Sequence, residues 1–341
     1  MINKFGIFSA LLIISSAFSA ERYNECLFEV KKTANIIYAS NVPQLSKKHF
    51  VTSLAAGLRT SPDAFPSLYF YQNTTETKNV DLYFDLYQPK NDNLKDRPLV
   101  IILHGGAFVS GSKSDTNQSI ITYCDSLAAR GYVVASIDYR IGLVLKDFGN
   151  QLHIDSLDFK RAIQWGVQDL QTAIQYFRSH AEKYKISPNK IFIIGNSSGA
   201  ILALHSAIEN EEQVKGIVSL WGATINSEQI KNIISPILLV HGTNDEIIPF
   251  TKGKLLNLDS IRSQNRFMPG YASTASAFNI NFSSPTFYGS FVIDSILSKN
   301  RIAHDTYFFD GLGHDFYDRE PYKTDILKRI VEFLYKYTLF K

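Results

Sequence analysis

Apolar and polar positions divide the chain into strands and helices that alternate. Val80, Leu82, Phe84 and Leu86 stand against Asp81, Tyr83, Asp85 and Tyr87, the period-two signature of an early antiparallel strand. After Pro98 the run Leu-Val-Ile-Ile-Leu is continuously apolar, as in a strand buried on both faces. Asn117–Arg130 predicts a helix stopped by Gly131, and Tyr132–Ile137 a buried strand closed by Asp138-Tyr139-Arg140. A long helical pattern over Leu157–Lys183 ends before Ser187-Pro188. Ile191–Ile194 reads as a strand and Ala200–Glu209 as a helix. Gly216–Trp221 and Ile237–Val240 are two further strands, with helical segments near Ser227–Ile233 and Lys252–Ile261. Tyr307–Phe309 is a last short strand and Tyr322–Tyr337 a final amphipathic helix.

This alternation predicts an α/β fold, one mostly parallel, doubly wound sheet with helices on both faces. Two stretches stand outside it. Residues 21–79 are weakly patterned and read as an N-terminal extension with one helix around Val42–Leu58, ahead of a main domain over 80–341. Asn265–Thr286 lacks a helical period, is rich in Ser, Ala and Asn, and is long for a plain connection. It reads as a functional insertion or lid, the alternative being a surface loop without contact to substrate.

Composition narrows the function classes. With 341 residues and 45% hydrophobic content, the chain can bury a large core. A net charge of +3 is too mild to direct it to nucleic acid. The eight histidines are scattered, and none shows the H-E-x-x-H spacing of a metal site. The first residues carry one Lys, an apolar run from Phe5 to Phe18, then small residues. That is the layout of a signal peptide over 1–20, with cleavage after Ser19 or Ala20 and a secreted or periplasmic product, an uncleaved anchor being the alternative. No second stretch is long enough to span a bilayer. Cys26 and Cys124 could pair in an oxidising compartment or equally stay as two thiols.

The candidate chemistry centres on Ile191–Ala203, where four apolar residues run into Gly195-Asn196-Ser197-Ser198-Gly199 and then into a helix start. This G-x-S-x-G pattern between strand and helix would hold the Ser197 hydroxyl clear of the sheet, beside the positive end of the helix. The glycines keep side chains out of the crossing. In sheets of this kind, ligands sit at the carboxyl ends of the strands, and three such ends carry complementary groups. His104-Gly105-Gly106-Ala107-Phe108 follows the strand after Pro98, its small residues leaving backbone N–H groups free to turn inward. With the N–H of Ser198, they could donate to an oxyanion. Asp245 and Glu246 follow the strand at Ile237, beside Pro249. His314, flanked by Gly313 in Gly311-Leu312-Gly313-His314, follows the last strand and can act as a general base. The order serine, acid, histidine is that of the fold. His104 and His241, each before a Gly at a strand end, read as local loop anchors.

Over Val80–Tyr337, the motifs HGGAF, DYR, GNSSG, HGTND-x-x-x-P and GLGH resemble an α/β-hydrolase of the carboxylesterase branch that shares its His-Gly-Gly motif with hormone-sensitive-lipase-like esterases. Within that branch, the chain is similar to secreted bacterial esterases of feruloyl and acetyl-xylan type. The resemblance implies a triad of Ser197, Asp245 and His314, with oxyanion donors from Gly106, Ala107 and Ser198. It implies no metal or organic cofactor. The chain departs from the pattern at Ala107, where many relatives carry a third Gly, and in a long interval between Asp245 and His314. The expectation is a secreted serine ester hydrolase acting on carbohydrate-linked or small aryl or acyl esters. Tyr139, Phe108, Trp221, Phe278, Phe282 and Phe287 are candidate wall residues. An exopeptidase-like or lipase-like hydrolase of the same fold, and a non-catalytic binding protein, are the alternatives. The oligomeric state is left open.

Overall fold

Eight strands form one sheet in the computed structural model: β1 (Val30–Leu45), β2 (Thr77–Pro89), β3 (Arg97–Leu103), β4 (Val133–Ile137), β5 (Ile186–Asn196), β6 (Gly216–Leu220), β7 (Ile237–Gly242) and β8 (His304–Phe309). The structure describes residues 21–45, 71–72, 77–108, 111–115, 119–147, 152–209, 213–255, 280–314 and 316–339. The spatial order is β1-β2-β4-β3-β5-β6-β7-β8. β1 and β2 pair antiparallel, as do β2 and β4. From β4 to β8 every neighbouring pair is parallel.

The continuous apolar runs mark strands covered twice. In β3, Leu99, Ile101 and Leu103 pack into one core layer, while Val100 and Ile102 pack into the layer behind the sheet. The first layer is closed by helices α2 (Ser156–Ser179), α3 (Ser198–Glu209) and α4 (Ser290–Lys299) through Phe159, Ile163, Ile201, Ile293 and Leu297. The second is closed by α1 (Ile120–Ala129) and α5 (Tyr322–Leu339) through Cys124, Leu127, Ile326, Ile330 and Leu334. Asp155 caps α2 by accepting from the N–H groups of Leu157 (2.9 Å) and Asp158 (3.0 Å), a contribution of about 1 kcal/mol.

Several expectations are corrected. Val42–Leu45, placed in a helix over 42–58, is the end of β1, and residues 46–58 lie outside the described part. Strand β1 is a bulged edge strand: Asn35 and Asn41 adopt left-handed φ values of 57° and 58°, and its register against β2 shifts three times. Each bulge moves the alternation to the other face, which removes the period-two signal. The extra N–H groups are not lost, since Asn35 N–H donates to Asp85 (3.0 Å) and Asn41 N–H to Asp81 (3.3 Å). In the expected helix over Lys252–Ile261, Lys252 and Gly253 instead pair antiparallel with Tyr288 and Phe287. Helix α4 was not anticipated. The segment Asn265–Thr286 lies outside the described residues up to position 279; Ile280–Phe282 then pairs parallel with Leu152–Ile154. The candidate signal peptide, residues 1–20, also lies outside. Cys26 is exposed, Cys124 is buried, and both are free thiols. Among the described residues, no helix is long and apolar enough to cross a membrane.

Parallel registers bring the strand ends to one edge of the sheet. Leu103 stands beside both Ile137 and Gly195, Asn196 beside Leu220, and Gly242 beside Phe309. The loops that follow β3, β5, β7 and β8 therefore emerge side by side.

Candidate active site

Ser197 sits at the turn from β5 into α3 with a left-handed φ of 56°, a conformation that costs a non-glycine residue on the order of 1–3 kcal/mol. The surroundings hold it there. Its N–H donates to Leu220 O of the neighbouring strand (2.8 Å), and its carbonyl accepts from Ala200 and Ile201. The flanking glycines are obligatory for space. A Cβ on Gly195 would lie 2.3 Å from Gly199 O, and one on Gly199 would lie 2.4 Å from Leu103 O. Strand and helix thus approach more closely than any side chain permits, which lifts the serine hydroxyl above the sheet.

The β7 and β8 loops are laced together. Thr243 N–H donates to Phe309 O (2.9 Å) and Asn244 N–H to Leu312 O (2.9 Å). In return, Gly311 N–H donates to Thr243 Oγ1 (2.8 Å), with Gly311 at φ 69°. This lacing sets Asp245 against His314, although 69 residues separate them in sequence. His314 Nδ1–H donates to Asp245 Oδ2 (2.7 Å), and His314 Nε2 receives the Ser197 hydroxyl (3.0 Å). Asp245 Oδ1 accepts from the backbone N–H groups of Ile247 and Ile248, both at 2.9 Å. Burial alone would raise the Asp245 pKa. The facing His314 charge and the donors from His241 and His314 outweigh it, holding the carboxyl well below its usual range.

The loop after β3 turns through three positive φ values, Gly106 at 116°, Ala107 at 53° and Phe108 at 61°. Ala107 accordingly occupies a left-handed position that relatives with a third Gly would fill without strain. Two anchors fix the loop. Phe108 O accepts from Gly142 N–H (3.0 Å) and Leu143 N–H (3.3 Å). Beneath it, the Tyr139 ring stacks on His104 at 4.3 Å, and its hydroxyl donates to His104 O (2.7 Å) while lying 3.2 Å from Ser198 Oγ. Tyr139 so ties the β3 loop to the residue that follows the nucleophile candidate. Farther along, Ser114 Oγ–H donates to the buried Asp85 (3.0 Å), which also pairs with Lys32 at 2.9 Å.

The structure brings Ser197, Asp245 and His314 into one hydrogen-bonded chain. Ala107 and Ser198 line the same pocket as Ser197, and Gly106 precedes Ala107 in the same turn. His104 bonds locally, its Nδ1–H donating to Gly105 O (2.7 Å), whereas His241, expected to be a local loop anchor, reaches Ser290 on α4 and the Asp245 carboxylate as well as Ile248 O. The pocket beside Ser197 is narrow, about 20 Å³, and apolar, with walls from Ala107, Phe108, Phe159, Ile201, Ile247, Ile248 and Leu255. Of the expected wall residues, Phe108 lines it. Phe287 stands behind it, edge-on to Phe159 at 6.4 Å. Trp221 instead packs edge-on to His314 at 6.2 Å, and Tyr139 lies under the β3 loop. Phe278 and the Phe282 side chain lie outside the described part. Sequence reasoning missed Phe159, which carries no motif and reaches the pocket from the first turn of α2. A larger cavity of about 380 Å³ lies between β8 and α5, but its charged groups pair with one another, Lys336 with Asp305 (2.9 Å) and Arg329 with Glu332 (3.0 Å). Among the described residues, no group of three or more His, Cys, Asp or Glu side chains could hold a metal ion.

Comparisons with known proteins bear on fold and family. The profile of the family described as BD-FAE matches residues 84–235, a span that holds HGGAF and GNSSG but ends before Asp245. Esterase P of Drosophila melanogaster is 28% identical over 145 residues, 41% of this chain and 24% of that protein. The para-nitrobenzyl esterase of Bacillus subtilis is 29% identical over 132 residues, 37% of this chain and 25% of that protein. The chain thus aligns with about a quarter of the length of these relatives. Among solved structures, the apo form of Thermogutta terrifontis esterase 2 superposes with a TM-score of 0.50 at 21% identity, covering 75% of this chain and 90% of that one. Sheet order, strand direction and this superposition together show that the chain has the α/β-hydrolase fold.

Proposed function

We propose that the protein is a serine ester hydrolase of carboxylesterase type. The observation that carries the reading is the chain Ser197–His314–Asp245, at 3.0 and 2.7 Å. Ser197 Oγ attacks the acyl carbon of an ester while His314 Nε2 takes its proton, and Asp245 holds the Nδ1–H and stabilises the imidazolium. The carbonyl oxygen becomes an oxyanion, received by N–H groups of the Gly106–Ala107 turn and of Ser198. One such donor is worth about 3 kcal/mol in the transition state. The C–O bond to the alcohol then breaks, and His314 returns the proton to the departing oxygen. Water attacks the acyl-enzyme with His314 again as base, releasing the acid and restoring Ser197.

The narrow apolar pocket supports a short acyl group, acetyl before longer chains, with the alcohol, sugar or aryl, outside it. The N-terminal layout supports export with cleavage after Ser19 or Ala20.

The primary test is p-nitrophenyl acetate turnover by the wild type and by Ser197→Ala. The reading predicts loss of turnover in the variant; equal activity, or none in either protein, refutes it. Thermogutta terrifontis esterase 2 has been captured phosphorylated by paraoxon, and the same reagent should modify Ser197 here but leave Ser198 unmodified. Preference for octanoate over acetate esters would remove the short-acyl reading. Release of acetate from acetylated xylan tests the carbohydrate ester. N-terminal sequencing of the exported protein should begin at Ala20 or Glu21.

A further inference from the structure

Asp245 Oδ2 faces two imidazoles. His314 Nδ1 lies at 2.7 Å and His241 Nε2 at 3.1 Å, and both His241 and the Asp245 carboxylate are sealed from solvent. Partners fix the tautomer of His241. Its Nε2 faces two acceptors, Asp245 Oδ2 and Ile248 O (3.2 Å), so it carries the hydrogen; Nδ1 then accepts the Ser290 hydroxyl at 2.8 Å. The result is a continuous line from Ser290 through His241, Asp245 and His314 to Ser197. The mechanism above uses only its second half.

We propose that His241 is a positioning residue that sets how strongly His314 holds a proton. For its catalytic consequence, this inference rests on the ester-hydrolase reading. A carboxylate oxygen that accepts a second N–H offers less negative potential to the first imidazole. His241 thereby shares the Asp245 Oδ2 with His314 and limits how far that carboxylate stabilises the His314 imidazolium. It also anchors the carboxylate on the side away from the backbone donors of Ile247 and Ile248. Among the described residues, the charged group facing both rings is Asp245. Their other recorded neighbours are the Ser290 hydroxyl, the Ile248 carbonyl and the Phe250 ring at His241, and the Ser197 hydroxyl and the Trp221 ring at His314.

The test compares His241→Leu, which removes the donor, with His241→Gln, whose Nε2 stands three bonds from Cβ as in histidine. Ser290→Ala serves as a milder perturbation. Two readouts are taken: the acid limb of kcat/KM for p-nitrophenyl acetate, and the fluorescence of Trp221, which an imidazolium at 6.2 Å quenches. Trp165→Phe removes the second of the two tryptophans. His241→Leu should move both titrations to higher pH by about half a unit to one unit, a three- to tenfold gain in proton affinity at His314. His241→Gln should restore them. An unmoved limb in a folded His241→Leu, or an equal shift in His241→Gln, overturns the proposal. If His241→Leu does not fold, Ser290→Ala decides: it should shift both titrations in the same direction by less, and no shift overturns the proposal. Absent ester turnover in the wild type would sink the hydrolase reading, while the fluorescence titration would still measure the coupling.

Discussion

Asp245→Asn is the most discriminating perturbation of the hydrogen-bonded chain, because it exchanges one carboxylate oxygen for an NH2 group with almost no change of volume. The carboxylate accepts four N–H donors: Ile247 and Ile248 at Oδ1, His314 and His241 at Oδ2. A carboxamide has one acceptor oxygen. If that oxygen stays with the two backbone donors, the NH2 group faces His314 Nδ1. The imidazole must then present a lone pair there, and its proton moves to Nε2, where it blocks acceptance from Ser197. If the amide flips, its NH2 instead opposes two fixed backbone N–H groups. Either way the base is lost. In a triad of this kind, the change lowers kcat by about 10⁴, equivalent to about 5 kcal/mol of barrier. The assay is p-nitrophenyl acetate hydrolysis at pH 7 to 9, with near-UV circular dichroism to verify packing. The double variant with Ser197→Ala should be no slower than Ser197→Ala alone, because the residues act as one unit. A folded Asp245→Asn that keeps more than about a tenth of wild-type kcat would refute the role given to Asp245.

Three further outcomes follow from particular contacts. Tyr139→Phe removes the hydroxyl that joins His104 O to Ser198 Oγ; it should cost about 1–2 kcal/mol of stability by denaturant titration and lower kcat more than it changes KM. Leu255→Ala opens the wall of the narrow pocket and should raise the hexanoate-to-acetate ratio of kcat/KM by about tenfold or more; an unchanged ratio would mean that the acyl chain lies elsewhere. Burial pushes the His205 pKa down to about 4, so its stabilising effect is complete above the unfolded value near 6.5 and is lost as pH falls from there toward 4. The loss amounts to about 3 kcal/mol, and His205→Gln should flatten that part of the stability profile if unfolding is followed between pH 7 and 4.

The parts of this protein visible in its sequence are those whose cause is local. Doubly buried strand runs such as Leu99–Leu103, and the helix periods of α2 and α5, follow from side chains a few residues apart. So does GNSSG, since the close approach of Gly195 to Gly199 is a matter of five consecutive residues. Strand β1 escaped because its bulges at Asn35 and Asn41 are stabilised by Asp85 and Asp81 on another strand. Helix α4 escaped because Phe291 on it stays half exposed, which blurs its apolar stripe.

The site divides the same way. The sequence by itself determined which residue types stand at each strand end, and in what order: a serine at a strand-to-helix turn, then acids, then a histidine between loop glycines. The residue pattern left Asp245 and Glu246 side by side, and only the resemblance to a known family chose Asp245; nothing in the sequence determined what His241 and Tyr139 touch, or that Phe159 narrows the pocket. Those depend on register between parallel strands and on hydrogen bonds between loops 69 residues apart. Only packing of the whole sheet brings such groups within hydrogen-bonding reach, because no short-range pattern encodes a distance between residues that meet only after the chain has folded.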